Sequence, residues 1–322
     1  MRRRELMSSV NGGGGVSHWW DNYMTIAALE DGLTVTLTEM HTDYKLEYSL
    51  DGATWTRLLS GKYTPEINTR DVIAFRGDGL SYAPTYQGLG TFNINKKCNL
   101  LGNCMSLLYV DDAAIYDSVP NYAFNKLFNT CSTIISVSDN FLPAGTVNDW
   151  GYQNMFNSCT SMIKGPNLPA TTIGNYCYRS MFYYCSALTA ASELPAEAVA
   201  VYCYYSMYEG CHSLVTAPSI LPAPSLASYC YGRMFSECVV LKKAPTLPAK
   251  TLVSFCYYYM FYECSKLNYI KALFTTTPSG LFTSSWVRDA GYNGGTFVKS
   301  KDATWDVTGE NGVPSGWTVK TE

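Results

Sequence analysis

The sequence has little of what several functional classes require. Only 15% of its 322 residues are charged, the formal net charge is −3, and no dense stripe of Lys or Arg occurs. Phosphate backbones need concentrated positive charge, so we predict no nucleic-acid partner. Histidine is limited to His18, His41 and His212, and none of the 12 cysteines forms a Cys-x-x-Cys pair. Zinc sites are built from such residues, so we predict no metal and no cofactor.

Long apolar runs and catalytic motifs are missing as well. No stretch approaches the roughly 20 apolar residues of a membrane-spanning helix. Residues 1–7 are basic, but residues 8–15 hold four glycines and no apolar core, which excludes a signal peptide. There is no Gly-x-Ser-x-Gly, no phosphate-binding loop and no His-Glu-x-x-His. We therefore predict a flexible leader over residues 1–17, no membrane insertion and no catalytic residue.

The sequence does contain one motif, Met-Phe-x-x-Cys-x-x-Leu, in six copies between residues 122 and 267. Some copies carry substitutions, such as Leu127 for Met and Tyr208 for Phe. A period of 20–30 residues is typical of stacked units, each of which buries its apolar face against its neighbours. The pattern therefore predicts a solenoid. The repeated cysteines are 26 to 28 residues apart: Cys131, Cys159, Cys185, Cys211, Cys238 and Cys264.

Each unit combines two local patterns. Cys177, Met181 and Cys185 stand at i, i+4 and i+8, the apolar stripe of a short helix buried along one side. A Leu-Pro-Ala phrase such as residues 194–196 ends the unit, and its proline favours an extended edge or a turn. We therefore expect one or two helical turns and one short extended segment per unit, an α+β solenoid.

A second cysteine precedes the first by eight residues in four copies, as in Cys177 and Cys185. In the first two copies, which match the motif less closely, Ala123 and Gly151 occupy this position. A position that accepts Cys, Ala or Gly requires a small side chain and not sulfur chemistry. We therefore expect reduced thiols buried in the core, where free cysteine behaves as a small hydrophobic residue.

The phrase aromatic-Cys-Tyr-x-x-Met-Phe-x-x-Cys-x-x-Leu resembles the BspA-like leucine-rich repeats, in which Ala-Phe replaces Met-Phe and the unit is about three residues shorter. The resemblance covers residues 122–274, about half of the chain. The basic start, the segment 105–109 (Met-Ser-Leu-Leu-Tyr) and the Trp-rich end also resemble repeat proteins of tailed phages and prophages of gut Bacteroidales. The resemblance implies a leucine-rich-repeat fold used for adhesion or scaffolding.

The regions on either side of the repeats differ in kind. Apolar and polar residues alternate over short runs before residue 97, and Asp-Gly pairs such as Asp51-Gly52 predict hairpins between them. The end of the chain carries Trp286, Trp305 and Trp317, which we interpret as a capping core, with a sugar-stacking platform as the alternative. The predicted organisation is a leader (1–17), a small immunoglobulin-like β-sandwich (18–97), the solenoid with the cap of its first face (98–273) and a Trp-rich C-terminal cap (274–322).

Two pairs of variable residues flank Met-Phe, or Met-Tyr, in each of the last five repeats. They are rich in Tyr, Ser, Gly, Asn and Arg, the composition of recognition loops, and contain no Lys. The alternative is an ordinary solvated surface, which would favour Lys and Glu. We define a candidate recognition strip from these pairs: Tyr183, Tyr184, Tyr205, Tyr258, Tyr259, Tyr262, Arg179 and Arg233.

An adhesion-type repeat protein without an export signal is typical of a virion component, which assembles in the bacterial cytoplasm. We predict a non-enzymatic phage structural protein of the fibre or decoration type, bound to other virion proteins through residues 1–97 and to a host-surface glycan or protein through the strip. Homo-oligomers are possible. The alternatives are a bacterial BspA-like adhesin, an intracellular scaffold and, least favoured, a carbohydrate-active enzyme.

Overall fold

The structure is a computed structural model that describes residues 18–81, 88–110 and 115–322. The fold is mostly β, with several open sheets, and the described residues contain two short 3₁₀ helices and no α-helix. The predicted leader lies outside the described residues. The 3₁₀ helices are η1 (Gly79–Ser81) and η2 (Cys104–Leu107).

The strands of the described residues are short, and most span two to five residues. They are β1 (Met24–Ala28), β2 (Val35–Thr38), β3 (Leu46–Ser49), β4 (Thr56–Leu58), β5 (Val72–Gly77), β6 (Thr91–Ile94), β7 (Cys98–Leu101), β8 (Ser118–Val119), β9 (Ile134–Val137), β10 (Thr146–Val147), β11 (Thr172–Ile173), β12 (Lys243–Leu247), β13 (Tyr269–Ala272), β14 (Thr296–Lys299) and β15 (Thr318–Thr321).

The N-terminal region forms two sheets. One has the order β4-β3-β5-β1-β7-β9, and the other pairs β2 with β6. The predicted strands of this region are present, and all pairs are antiparallel except β7–β9. Phe75 of the larger sheet meets Phe92 of the smaller one, with ring centroids 5.2 Å apart. That these two sheets form an immunoglobulin-like sandwich stays a prediction.

The larger sheet crosses the boundary that we predict at residue 97. Strand β7 pairs with β1 on one side and with β9, which belongs to the first repeat, on the other. The aromatic core is continuous too, because Phe92 stacks on Phe128 of the first repeat at 5.4 Å. The N-terminal sheet therefore ends inside the repeat region.

The prediction of a short helix in each repeat is wrong. Each repeat instead contains a ten-residue turn segment, and the six segments are 121–130, 149–158, 175–184, 201–210, 228–237 and 254–263. The second, sixth and tenth residues of each segment have φ between 51° and 73°, as in Tyr176, Ser180 and Tyr184. A left-handed residue at every fourth position is incompatible with an α-helix.

The backbone hydrogen bonds of a turn segment alternate between two directions. The N–H groups of Tyr178, Ser180 and Phe182 donate to carbonyls of the next segment at 2.9, 2.9 and 3.0 Å. The N–H groups of Arg179 and Met181, in between, donate to carbonyls three residues earlier at 3.1 and 3.2 Å. The N–H groups of residues 178–182 therefore all find acceptors without helical or strand geometry.

The interior of the repeats consists of columns of equivalent residues. Rings at the fourth and eighth segment positions stack on their counterparts, as Tyr178 does on Tyr204 at 5.5 Å and Phe182 on Tyr208 at 5.4 Å. All twelve cysteines are free and buried, as expected. In every unit after the first, the later cysteine also donates to the preceding repeat, for example from Cys185 Sγ to the carbonyl of Phe156 at 3.0 Å. At the position of this later cysteine, a small side chain alone therefore does not meet the requirement.

The end of the repeats is closed by a sheet of parallel strands in the order β12-β13-β14-β15. Trp286, Trp305 and Trp317 are buried, and each indole N–H donates to a backbone carbonyl. Buried rings cannot stack on a sugar, so the sugar-platform alternative for these residues is wrong. That they cap the repeats stays a prediction.

Candidate functional site

The candidate recognition strip lies on the outer side of the turn segments. Within each four-residue period the third and fourth positions are buried, and the next two, where the strip residues stand, are in most segments half-buried or exposed. All eight strip residues are half-buried: Arg179, Tyr183, Tyr184, Tyr205, Arg233, Tyr258, Tyr259 and Tyr262. Because the segments stack in register, the structure brings these residues to one side of the repeats.

The centre of the strip is held by an ion pair that the sequence did not predict. The Arg233 guanidinium donates to Glu209 through Nε, at 3.0 and 3.1 Å, and through Nη2, at 2.8 Å. The Glu209 side chain is only 5% exposed. These hydrogen bonds raise the pKa of Arg233, because the carboxylate stabilises the charged guanidinium. Such a bidentate pair fixes both side chains in one geometry.

Tyr184 reaches over a whole repeat. Its hydroxyl donates to Glu237 Oε2 at 3.0 Å, 53 residues further along the chain. Burial, followed by this hydrogen bond to a carboxylate, raises the pKa of Tyr184 to about 12. The exposed ring of His212 meets it edge-on, with centroids 5.9 Å apart. The phenol is therefore neutral at physiological pH and is held in place from its far end.

The arginines of the strip lie over tyrosine rings. The Arg233 guanidinium is 5.2 Å from the centroid of Tyr259, and that of Arg179 is 5.7 Å from Tyr205. Arg288, which is outside the predicted strip, is 5.8 Å from Tyr262. Contacts of this kind contribute about 0.5–1 kcal/mol each at exposed sites. They order the strip more than they stabilise the fold.

A further aromatic row beside the strip was missed. We call it the outer ladder: Tyr122, Trp150, Tyr176, Tyr202, Tyr229 and Phe255. Neighbouring rings stack with centroids 4.5 to 5.2 Å apart. The aromatic residue before each Cys-Tyr was a signal that could have revealed the row, whereas nothing in the pattern indicates the pairing of Glu209 with Arg233.

The chemistry available in the strip is that of binding. Phenol, guanidinium and carboxylate groups converge there, and the neighbouring thiols are inert because burial raises the pKa of Cys185 to about 12 and that of Cys211 well above its usual range. An open cleft of about 290 Å³ near Arg288 and Tyr292 contains none of the predicted strip residues. Among the described residues, no three His, Cys, Asp or Glu side chains are grouped as a metal site would require.

Comparisons with protein-family models, with curated proteins and with solved structures find no match to this chain. Within the described part of the chain, no helix has the length and apolar character that crossing a membrane would demand. The features that bear on function are therefore the sequence repeats and the geometry of the strip.

Proposed function

We propose that this chain is a non-enzymatic structural protein of a phage virion, of the fibre or decoration type, which attaches to the host surface through the candidate recognition strip. The observation that carries the proposal is the row of half-exposed tyrosines on one side of stacked repeats. Tyrosine offers large contact area at low cost in conformational entropy, and a few such residues dominate many interfaces.

The proposal includes the fold as a solenoid of BspA-like repeats preceded by an immunoglobulin-like domain. Its support is that consecutive turn segments are joined by the same backbone hydrogen bonds from repeat to repeat. The helix-free units depart from the expected α+β form, so the resemblance to BspA-like repeats is one of sequence pattern. The N-terminal region would bind other virion proteins.

Two experiments test the proposal. Mass spectrometry of purified phage particles should detect the chain; its absence would favour an intracellular scaffold or a bacterial adhesin. Removing residues 1–17, which leaves every strand of the N-terminal sheets in the chain, should reduce incorporation into particles. Unchanged incorporation would contradict an anchoring role for the leader.

Attachment is tested with the triple variant Tyr183→Ser, Tyr205→Ser and Tyr258→Ser. We expect binding of the purified protein to cells of its host to fall by about a hundredfold, since three aromatic contacts are removed from one surface. The matched control is Tyr63→Ser, which changes an exposed tyrosine of the N-terminal region. Equal binding by all three proteins would show that the strip is an ordinary solvated surface.

A further inference from the structure

Tyr184 lies flat on the surface of the repeats. A β-carbon built on Gly210 would be 2.8 Å from Cδ2 of the Tyr184 ring and 2.9 Å from both Cγ and Cε2. A point that is almost equally close to three consecutive ring atoms is above the plane of the ring, because an approach in the plane would leave the outer two clearly farther away. One face of Tyr184 therefore rests on Gly210.

The hydroxyl of Tyr184 supports the same orientation independently. It bonds to Glu237, which belongs to the segment after the one that contains Gly210. The ring must therefore run along the surface and across the intervening repeat. Since the residue is only half-buried, the face opposite Gly210 is directed outward.

Tyr205 repeats the glycine contact one unit further along, but the Arg179 guanidinium already lies over its ring, 5.7 Å from the centroid. A β-carbon on Gly232 would be 2.8 Å from Cδ2 and 2.9 Å from Cε2 of the Tyr205 ring. In both cases a tyrosine at a variable position of one segment is paired with a glycine at the same position of the next. The rings of the outer ladder differ, because each inner member, such as Tyr202, has neighbouring rings on both faces, at 5.0 and 4.5 Å.

From this geometry we infer that the outward part of the Tyr184 ring, beside the tilted ring of Tyr183 at 4.6 Å, is a flat stacking platform for a pyranose ring of a neutral host-surface glycan. The inference rests on the proposed attachment function and selects its ligand class. The electron-rich face of an aromatic ring attracts the polarised C–H bonds on one side of a pyranose. Glu237 and the exposed His212, at the rim of Tyr184, are positioned to hydrogen-bond sugar hydroxyls. Protein partners, by contrast, are anchored in desolvated pockets, and this platform is flat.

The test measures attachment of the full chain to cells of gut Bacteroidales strains after two treatments of the cells. Periodate, which cleaves the vicinal diols of sugars, should abolish attachment, and proteinase K should leave it unchanged. Attachment that survives periodate but not proteinase would overturn the glycan inference and leave the proposed function intact. If the untreated cells of every strain fail to bind the chain, attachment itself is refuted, and the glycan inference with it.

Variants locate the platform. Tyr184→Leu, which removes the aromatic face, should weaken attachment about tenfold, whereas Tyr184→Phe, which keeps the face, should bind within about twofold of the original protein. Tyr202→Leu in the outer ladder is the matched control and should also bind within about twofold. Circular dichroism and the melting temperature identify a variant that fails to fold, and Tyr184→Met, which also removes the aromatic face, then replaces it. Equal binding by Tyr184→Leu and the original protein would overturn the platform.

Discussion

The inner and outer sides of the turn segments share one backbone but differ in what they require of a residue. Inner positions keep Met, Tyr or Phe in five of the six copies and Cys in four, and these side chains are buried against equivalent residues of the next repeat. Outer positions vary from Arg179 to Tyr205, Gly232 and Tyr258 at a single site. Stacking therefore constrains the inner columns by volume, whereas the outer residues adapt to each other in pairs.

The largest expected loss of stability involves the inner side and occurs at alkaline pH. Burial raises the pKa of inner thiols, that of Cys185 to about 12, whereas thiols of an unfolded chain titrate near 8.5. The stabilisation is complete below about pH 8.5 and is lost as the pH rises from there towards 12, by up to about 1.4 kcal/mol per thiol and pH unit. The urea midpoint of the reduced protein should fall steeply between pH 8.5 and 9.5. An unchanged midpoint would mean that the thiols are not buried.

The second largest loss of stability is expected for a substitution on the outer side. Replacing Arg233 by Met leaves the buried Glu209 carboxylate without its cation, and we expect the free energy of unfolding to fall by about 3 kcal/mol. The control is Arg179→Met, since that guanidinium lies over tyrosine rings and its loss should cost less than about 1 kcal/mol. Equal losses in urea denaturation would show that the ion pair does not stabilise the strip.

A smaller difference in stability is expected between the cysteine column that contains Cys185 and the one that contains Cys177. Cys185→Ala removes a buried sulfur and its hydrogen bond to Phe156, which should cost about 1–2 kcal/mol. Cys177→Ala should cost less, because the Sγ of Cys177 is 4.0 Å from the carbonyl of Cys203 and interacts with it weakly. Thermal unfolding of both variants measures the difference, and a greater loss for Cys177→Ala would contradict the assigned hydrogen bond.

The smallest effect is a gain of stability. Among the residues that the structure describes, the buried hydroxyl of Tyr204 has no hydrogen-bond partner, so Tyr204→Phe should stabilise the protein by about 1 kcal/mol. The matched control is Tyr208→Phe, which removes an acceptor of the Ser192 N–H and should destabilise by about the same amount. Melting temperatures that shift in the same direction for both variants would contradict this account.

Several elements were predictable because they depend on local patterns. The N-terminal strands follow alternation of apolar and polar residues, and the buried cysteine columns follow the interchange of Cys, Ala and Gly. The outward position of the strip was predictable as well, because residues that vary between copies cannot be part of a packed column. Its binding role stays a prediction.

The helix was mispredicted for a physical reason. A spacing of i, i+4 and i+8, as in Cys177, Met181 and Cys185, suits both an α-helix and a turn segment with a period of four. The left-handed positions hold residues such as Tyr176 and Ser180 instead of the glycine that usually marks them. Composition therefore gave no sign of the conformation.

The sequence by itself determined the period, the number of repeats and which side chains are buried, because these follow from equivalent residues recurring at a fixed spacing. Only the tertiary structure decided the backbone conformation and the pairing of Glu209 with Arg233 or of Tyr184 with Gly210. The reason is that half of the N–H groups of each turn segment are satisfied by the next repeat. A single unit has no such acceptors, so its conformation exists only in the stack.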